Sequence, residues 1–486
     1  MTGPIKLPNT KLFINNEWVD SQCKRTFNTV NPYTEEVICS VTEGDKEDVD
    51  IAVIAARKAL EEGPWGSMST SDRSALMMKL ADLIEKNKDY LSKLESTDNG
   101  KPLSSASGYD LDQSIKTIRY YAGCADKIHG KSIQLSQDYT CYTRHEPIGV
   151  VGVITPWNFP LMIMCWKIGP ALAAGCTIIA KQSEITPLTA LALCELIKEA
   201  GFPPGVFNLI PGFGPTVGNA ISHHMDIDAV SFTGSNRTGR LITEASAKSN
   251  LKKITLELGG KSPNIVFGDV DLDIAVKGAR DALYPNSGQS CCAGSRLYVH
   301  ESIYKEFLGK FVESVKSLKL GDPFDKSTDQ GPVASKEHFD RVMSFIQRGK
   351  DEGAHVLLGG KRHGNKGFFV EPTIFTNVQE SMAICKHEIF GPVICVIPFS
   401  DTKQLIHDCN NTEYSLAAGV WTNNLSTALN VANRLKAGSV WVNDYSVVDV
   451  RIPFGDHGGF GKDLSTYAVD QFIAIKALTI NHKICK

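Results

Sequence analysis

The sequence predicts an α/β protein built from two doubly wound parallel sheets and a separate β-arm. From residue 148 onward, short apolar strands alternate with helix-length amphipathic segments, and the alternation restarts after residue 262. Strands that are apolar throughout are typical of parallel sheets whose two faces are covered by helices. The length of 486 residues also exceeds what one hydrophobic core supports, so more than one domain is expected.

Each predicted element rests on its apolar pattern and on the residues that break it. The first 45 residues predict short strands and turns, and helical patterns follow at about 46–62, 71–97 and 109–126. Helices such as 188–200 and 239–247 separate the strands of the first sheet, which are predicted at 150–154, 176–180, 206–210, 229–232 and 254–256. Strands of the second sheet are predicted at 264–267, 297–299, 355–358, 393–396 and 439–442.

Two further segments, 138–144 and 477–482, alternate polar and apolar residues as edge strands do. Neither fits a sheet in chain order, so we assign both to an arm that pairs with another subunit. The boundary between the two sheets falls near Gly259-Gly260. The predicted units are a first domain, a second domain, and an arm with its tail, at residues 1–125 with 147–258, 259–470, and 126–146 with 471–486.

Composition excludes several classes of protein. The net charge of −3 and the lack of a basic run argue against a nucleic-acid binder. No apolar stretch reaches membrane-spanning length and the N-terminus lacks a signal-peptide core, so a cytoplasmic location is expected without membrane association. The thirteen cysteines lack paired spacing, which indicates reduced thiols and no zinc site.

The stretch 286–296 places Cys291 and Cys292 in a glycine-rich turn, 34 residues after Glu257. A thiol acts as a nucleophile only as the thiolate, so it needs a base or hydrogen-bond donors nearby. The flanking glycines leave room for a substrate carbonyl. Taken alone, the motif is a weak signal, because a free cysteine is usually a small buried hydrophobic residue.

A second motif, Phe232-Thr233-Gly234-Ser235, ends an apolar strand and opens a helix, as phosphate-binding turns do. It is not a GxGxxG motif, and a plain turn capped by Ser235 is the alternative. Lys181 and Glu184 follow another strand and could hold ribose hydroxyls, where an acid favours NAD over NADP. A solvated loop would also explain this pair.

Asn158 lies in the third motif, Thr155-Pro156-Trp157-Asn158-Phe159-Pro160, where two prolines fix a turn after a strand. An asparagine amide that faces a cleft can stabilise a developing oxyanion. A structural Asx-turn is the competing explanation.

These residues together resemble the aldehyde dehydrogenase superfamily, and within it the classes that act on retinal and acetaldehyde. The resemblance covers essentially the full length. The spacings agree as well, with 34 residues from Glu257 to Cys291 and 97 from Cys291 to Glu388. The motifs in register are 155–160, Lys181 with Glu184, 232–235, 256–263, 288–296 and 388–392.

The resemblance implies NAD-dependent oxidation of an aldehyde to a carboxylic acid. Cys291 would be the nucleophile, Asn158 and the backbone N–H of Cys291 would stabilise the oxyanion, and Glu257 would activate the hydrolytic water. The first domain would bind NAD, the second would be catalytic, and the arm would join a homodimer or homotetramer. The implied cofactor-binding residues are Ile154, Trp157, Lys181, Glu184, Gly214, Phe232, Gly234, Ser235, Glu388 and Phe390.

The chain departs from the family pattern around the aldehyde tunnel. Asp281 replaces an aromatic residue, and a carboxylate such as Asp444 near Cys291 would raise the pKa of the thiol unless Arg451 paired with it. The substrate-tunnel residues implied by the resemblance are Trp166, Pro285, Cys292, Asp444, Val448 and Phe454. Two alternatives therefore stay open: a weak or inactive homologue serving as an eye-lens omega-crystallin, and a module that binds NAD or an aldehyde without turnover.

Overall fold

A computed structural model describes residues 5–484 and confirms the α/β class with two large sheets and a β-arm. Residues 1–4 and 485–486, the outermost parts of the predicted first domain and tail, lie outside the described residues. The first sheet has seven strands, of which five are parallel and the two N-terminal ones antiparallel. Its order is Lys253–Glu257, Ala229–Thr233, Val150–Thr155, Thr177–Gln182, Phe207–Leu209, Leu12–Ile14 and Glu17–Val19.

The second sheet also has seven strands and is parallel except for its edge strand His355–Leu358. The strands Thr373–Thr376 and Ala417–Trp421 were not predicted. The first is only four residues long, and the second contains alanines and Gly419, which have low strand propensity. The order is His355–Leu358, Thr373–Thr376, Val393–Phe399, Arg296–His300, Pro263–Val266, Ala417–Trp421 and Ser439–Val442.

Helices cover these sheets, and two predicted helical segments differ from the structure. Segment 71–97 is two helices that break at Asn87, whose side-chain amide donates to the Leu83 carbonyl at 2.8 Å. Segment 109–126 begins with the π-helical turn Ala106–Leu111. The α-helices of eight or more residues are Lys46–Glu61, Thr70–Lys86, Lys88–Asn99, Asp112–Ala122, Pro160–Ala174, Leu188–Ala200, Asn236–Lys248, Leu272–Asp281, Tyr304–Lys316, Lys336–Asp351, Thr402–Asn410 and Leu425–Ala432. The short α-helices are Pro64–Ser67, Leu103–Ser105, Asn219–His223, Ala383–Lys386 and Ser465–Asp470.

The arm forms a sheet separate from the two large ones. Tyr139–Pro147 pairs antiparallel with Ile473–Asn481 along their whole length, and Ser132–Ile133 adds a third strand. Thr26–Val30 and Val37–Thr42 form a separate hairpin. Within residues 5–484, no helix is long and apolar enough to cross a bilayer.

Parallel register brings the predicted site residues of the first sheet to one edge. Ile154 lies opposite Lys181 and Phe232, and Thr233 lies opposite Glu257. The carboxyl ends of neighbouring parallel strands point the same way, and ligands of open α/β sheets bind outside them. The loops that carry the first sheet's predicted site residues therefore start from the same edge.

Candidate active site

The thiol turn has an unusual backbone that other parts of the chain hold in place. Asn286 and Ser287 adopt left-handed conformations with φ of 51° and 56°. Such angles are uncommon outside glycine and persist where the surroundings compensate for their cost. Asn286 donates its side-chain amide to the Asn158 carbonyl at 3.0 Å, and the Ser287 hydroxyl donates to the Gly331 carbonyl at 2.7 Å. The turn that precedes Cys291 is thus anchored on two separate segments.

The two glycines after Glu257 let three segments meet. A Cβ atom at Gly260 would lie 2.1 Å from the Cys291 carbonyl oxygen, and one at Gly259 would lie 2.3 Å from the Glu388 carboxylate. A side chain at Gly260 would clash with backbone, so this position requires glycine, whereas one at Gly259 would displace the Glu388 carboxylate. The Gly260 N–H donates to the Glu388 carboxylate at 3.0 Å.

The environment of Cys291 keeps it protonated. A hydrogen bond with the Cys292 thiol, burial, and the negative charges of Glu388 and Glu257 hold the pKa of Cys291 well above its usual range. The same hydrogen bond lowers the pKa of Cys292 to about 7. Cys291 therefore has to lose its proton as it attacks.

Asn158 is 2% exposed and lies across from the thiol turn. Its amide nitrogen donates to the Gln289 carbonyl at 2.9 Å, two residues before Cys291. This contact uses one of the two amide protons, so the second remains available to another acceptor.

Glu257 is buried at 5% exposure beside an ion pair between Lys167 and Asp463, whose charged atoms lie 2.8 Å apart. One carboxylate oxygen accepts from the Asp463 N–H at 3.2 Å, and the other has no partner among the described residues. Burial and the charge of Asp463 raise the pKa of Glu257 well above its usual range. A carboxyl with a raised pKa is a stronger base once it ionises.

A cavity of about 270 Å³ leads to the thiols and has mainly apolar walls. Asp281, noted as a departure from the family pattern, also lies in its wall. Tyr109 and Lys101 are further wall residues that sequence reasoning missed. Of the residues expected in the tunnel, the wall contains Trp166, Pro285, Cys292, Val448 and Phe454.

Asp444 is a correction to the expected tunnel. The residue is exposed, its carboxylate accepts the Tyr445 N–H at 2.7 Å, and it lies outside the cavity wall. Tyr445 points inward instead, where its hydroxyl donates to the Cys292 carbonyl at 2.8 Å. Arg451 pairs with Asp449 at 2.7 Å rather than with Asp444. The suggested effect of Asp444 on the thiol therefore has no structural basis.

A groove of about 660 Å³ lies at the carboxyl edge of the first sheet, and its walls include Ile154, Gly214 and Ser235. The Ser235 hydroxyl accepts the Thr238 N–H at 3.3 Å and caps the helix Asn236–Lys248. Lys181, near the end of the strand Thr177–Gln182, pairs with Glu184 just beyond that strand at 2.8 Å. At Gly234, a Cβ atom would lie 2.4 Å from the Phe232 ring, so this turn requires glycine.

Trp157 and Phe390 lie together, with ring centroids 5.3 Å apart. His338, which sequence reasoning missed, contacts the Trp157 ring at 4.8 Å and has its Nε2 2.6 Å from the Phe390 carbonyl oxygen. Burial lowers the pKa of His338 to about 4, so the neutral imidazole donates this hydrogen bond. The sequence gives no motif for His338, because its partner Phe390 lies 52 residues further along the chain.

Comparisons with known proteins agree with this geometry. The profile of the aldehyde dehydrogenase family matches residues 18–478. The chain is 51% identical to the mitochondrial aldehyde dehydrogenase of Homo sapiens, over 97% of this chain and 92% of that protein. It is 52% identical to aldehyde dehydrogenase 1A1 of Oryctolagus cuniculus, over 98% and 97% of the two chains.

A solved structure gives the same result. The NAD+ complex of an aldehyde dehydrogenase from Bacillus cereus superposes with a TM-score of 0.95 at 50% identity, covering 97% of this chain and 96% of the other. Fold, motifs and sequence identity over nearly the whole length agree. The chain belongs to the aldehyde dehydrogenase family.

Proposed function

We propose that the protein oxidises an aldehyde to a carboxylic acid with NAD as the oxidant. One observation carries the proposal. The segments that bear Cys291, Glu257 and Glu388 meet around Gly259 and Gly260, at the end of an apolar cavity. An apolar wall suits an aldehyde with a hydrocarbon or aromatic body. The identities to a mitochondrial aldehyde dehydrogenase and to aldehyde dehydrogenase 1A1 support the retinal and acetaldehyde class that the sequence resemblance implied.

The residues at the first sheet's edge fit NAD. Ser235 at a helix N-terminus suits a pyrophosphate, and the Lys181–Glu184 pair suits the hydroxyls of the adenosine ribose. The Glu388 carboxylate lies against Gly259 and Gly260 beside the thiol turn, and Phe390 packs on Trp157, so we assign both to the nicotinamide riboside. NAD, when bound, accepts the hydride that leaves the aldehyde carbon. A carboxylate at Glu184 disfavours the additional phosphate of NADP.

Cys291 forms the covalent bond to the substrate. Its sulfur adds to the aldehyde carbon as its proton passes to a water molecule, and the carbonyl oxygen becomes the oxyanion of a thiohemiacetal. The free amide proton of Asn158 and the backbone N–H of Cys291 are the donors we assign to that oxyanion. Loss of hydride then turns the thiohemiacetal into a thioester on Cys291.

Glu257 completes the cycle. Its unpartnered carboxylate oxygen takes a proton from a water, which adds to the thioester carbon. The carboxylic acid leaves and the Cys291 thiol is restored. Burial and the negative charge of Asp463 oppose ionisation of Glu257. The positive charge of Lys167, which pairs with Asp463, assists it.

The domain division, the assembly and the location are proposals as well. We assign NAD binding to residues 1–125 and 147–258, catalysis to 259–470, and oligomerisation to 126–146 and 471–486. The strand Ile473–Asn481 is an edge strand of the arm sheet and has Ile475 68% exposed, which supports a homodimer or homotetramer joined through it. The cysteines within residues 5–484 are free, which supports a reducing compartment such as the cytoplasm.

A spectrophotometric assay tests the proposed function. Wild-type protein, with NAD and a panel of short, long and aromatic aldehydes, is expected to form NADH at a steady rate, while Cys291→Ser forms none. Absence of steady NADH formation with every aldehyde would contradict the proposal. Within residues 5–484, nothing favours the lens-protein alternative, because the cavity reaches the Cys291 thiol and the groove is open.

A further inference from the structure

Three buried titratable side chains form a cluster beside the peptide that carries the proposed oxyanion donor. The Lys101 ammonium contacts the Asp110 carboxylate and lies 3.5 Å from the Glu95 carboxylate, and none of the three side chains exceeds 1% exposure. Its third contact is a 2.8 Å hydrogen bond to the Asn158 carbonyl oxygen. An ammonium has three protons, and burial makes an unpaired one costly. Lys101 therefore has a fixed place with all three protons directed at acceptors.

The charges of this cluster balance at neutral pH. Burial raises the pKa of Glu95 to about 8, against the opposing charge of Lys101, so Glu95 carries a proton. Lys101 and Asp110 then form a pair with no net charge. Glu95 has a second contact, since it accepts the Leu161 N–H at 3.3 Å. The cluster thus holds both Asn158 and the first turn of the helix Pro160–Ala174.

The carbonyl contacts determine where the Asn158 side chain points. Lys101 and Asn286 both donate to the Asn158 carbonyl oxygen, at 2.8 Å and 3.0 Å. Two donors on one carbonyl fix the orientation of its peptide plane, and with it the direction of the side-chain bond. One amide proton of Asn158 is committed to Gln289, so the direction of the remaining one depends on this arrangement.

We propose that Lys101 is a positioning residue for the oxyanion donor: it fixes the Asn158 peptide, and Glu95 and Asp110 fix Lys101. The inference rests on the proposed function, because it needs Asn158 to stabilise an oxyanion. Lys101 also lines the substrate cavity and lies 4.4 Å over the Phe159 ring. Substitution of Lys101 would therefore change the cavity wall and the Asn158 peptide without changing the Cys291 side chain.

A double-mutant cycle separates positioning from a purely structural role. Lys101→Met is expected to lower kcat on the order of 10- to 100-fold, since a misplacement of about 1 Å costs about that much. In an Asn158→Ala background, Lys101→Met is expected to lower kcat by at most about a further twofold, because the side chain that Lys101 positions is absent. NAD affinity and the rate of Cys291 alkylation by iodoacetamide are expected to stay within about twofold of wild type.

Lys252→Met is the matched control. The Lys252 side chain is also buried, at 5% exposure, and its ammonium donates to the Ser222 carbonyl at 2.8 Å, away from the cavity. We expect it to lower stability without lowering kcat per folded molecule. Should Lys101→Met fail to fold by circular dichroism, the same cycle is run with Asp110→Asn, which weakens the hold on Lys101.

Hydrolysis of p-nitrophenyl acetate gives a readout that needs Cys291 and an oxyanion donor but no NAD. The inference is overturned if, in either reaction, Lys101→Met lowers kcat by the same factor in the Asn158→Ala background as in wild type. It is also overturned if Lys101→Met lowers kcat no more than Lys252→Met does. If the wild type hydrolyses the ester but forms no NADH, only the proposed function is contradicted. The double-mutant cycle is then measured with ester hydrolysis. A wild type that performs neither reaction would overturn both proposals.

Discussion

Protonation of Glu388 is expected to control the affinity for NAD near neutral pH. Burial raises the pKa of this carboxyl to about 7, although the Gly260 N–H, Arg341 and Lys261 oppose the shift and Asp456 adds to it. An ordinary glutamate, with a pKa of about 4.3, would stay ionised over this range. Glu388 instead gains a proton as the pH falls through 7 and then loses the charge that strengthens hydrogen bonds from ribose hydroxyls.

The magnitude follows from the ionised fraction of Glu388. With a pKa of about 7, the carboxylate makes up about one tenth of the molecules at about pH 6 and about nine tenths at about pH 8. We expect the association constant for NAD to rise about tenfold over this interval, up to the limit of about 1.5–3 kcal/mol for a hydrogen bond to a charged group. Glu388→Gln cannot ionise, so its affinity is expected to be weak and constant.

Isothermal titration calorimetry with NAD, without aldehyde, measures this effect free of turnover. Cys292→Ser is the control, because the pKa of Cys292 is also about 7. This variant is expected to keep the tenfold rise if Glu388 causes it. A wild-type affinity that does not change with pH, or a Glu388→Gln variant with the same pH dependence as wild type, would refute the reasoning.

Three other changes have defined outcomes. Glu257→Gln is expected to release one equivalent of NADH in a stopped-flow burst and then slow by about 10²–10⁴-fold, because the thioester is not hydrolysed; a steady rate near wild type would contradict this. The pKa of Glu257 is raised in the folded state, so its contribution to stability is present below about pH 4.3 and is lost as the pH rises through the folded pKa. Gln cannot ionise, so thermal melts are expected to show Glu257→Gln gaining stability relative to wild type as the pH rises. Gly260→Ala places a Cβ 2.1 Å from the Cys291 carbonyl and is expected to lower both Tm and kcat, which normal values of both would disprove. Asp444→Ala is expected to leave kcat/KM for apolar aldehydes within about twofold, since the carboxylate is exposed, and a large gain would restore it to the tunnel wall.

Much of the fold was predictable because its signals are local. The strands 150–154 and 229–232 are short and mainly apolar, and each is followed by a helix pattern with turn residues between. The motifs after these strands were each predicted at the carboxyl end of a strand, where ligands of open α/β sheets bind. Segments such as 373–376 were missed because a short strand between proline and polar residues has little periodicity of its own.

The site residues that could be predicted are those whose reactive side chain lies in a recognisable short motif. Asp444 was misplaced because Asn443 and Ser446, with φ of 55° and 62°, turn the chain so that Tyr445 faces inward and its neighbour outward. Lys101 and His338 contact backbone carbonyls of distant segments, those of Asn158 and Phe390. A contact to a carbonyl leaves no mark on the partner's side chain, so residue types alone do not reveal it.

The central claim is that the Cys291 sulfur carries the substrate. The most direct test mixes Glu257→Gln with NAD and a short aldehyde, quenches with acid, and locates the added mass by peptide mass spectrometry. We expect an acyl group on Cys291 in nearly stoichiometric amount, formed only when NAD is present. An acyl group on Cys292 instead, or an unmodified thiol pair with NADH already formed, would contradict the account.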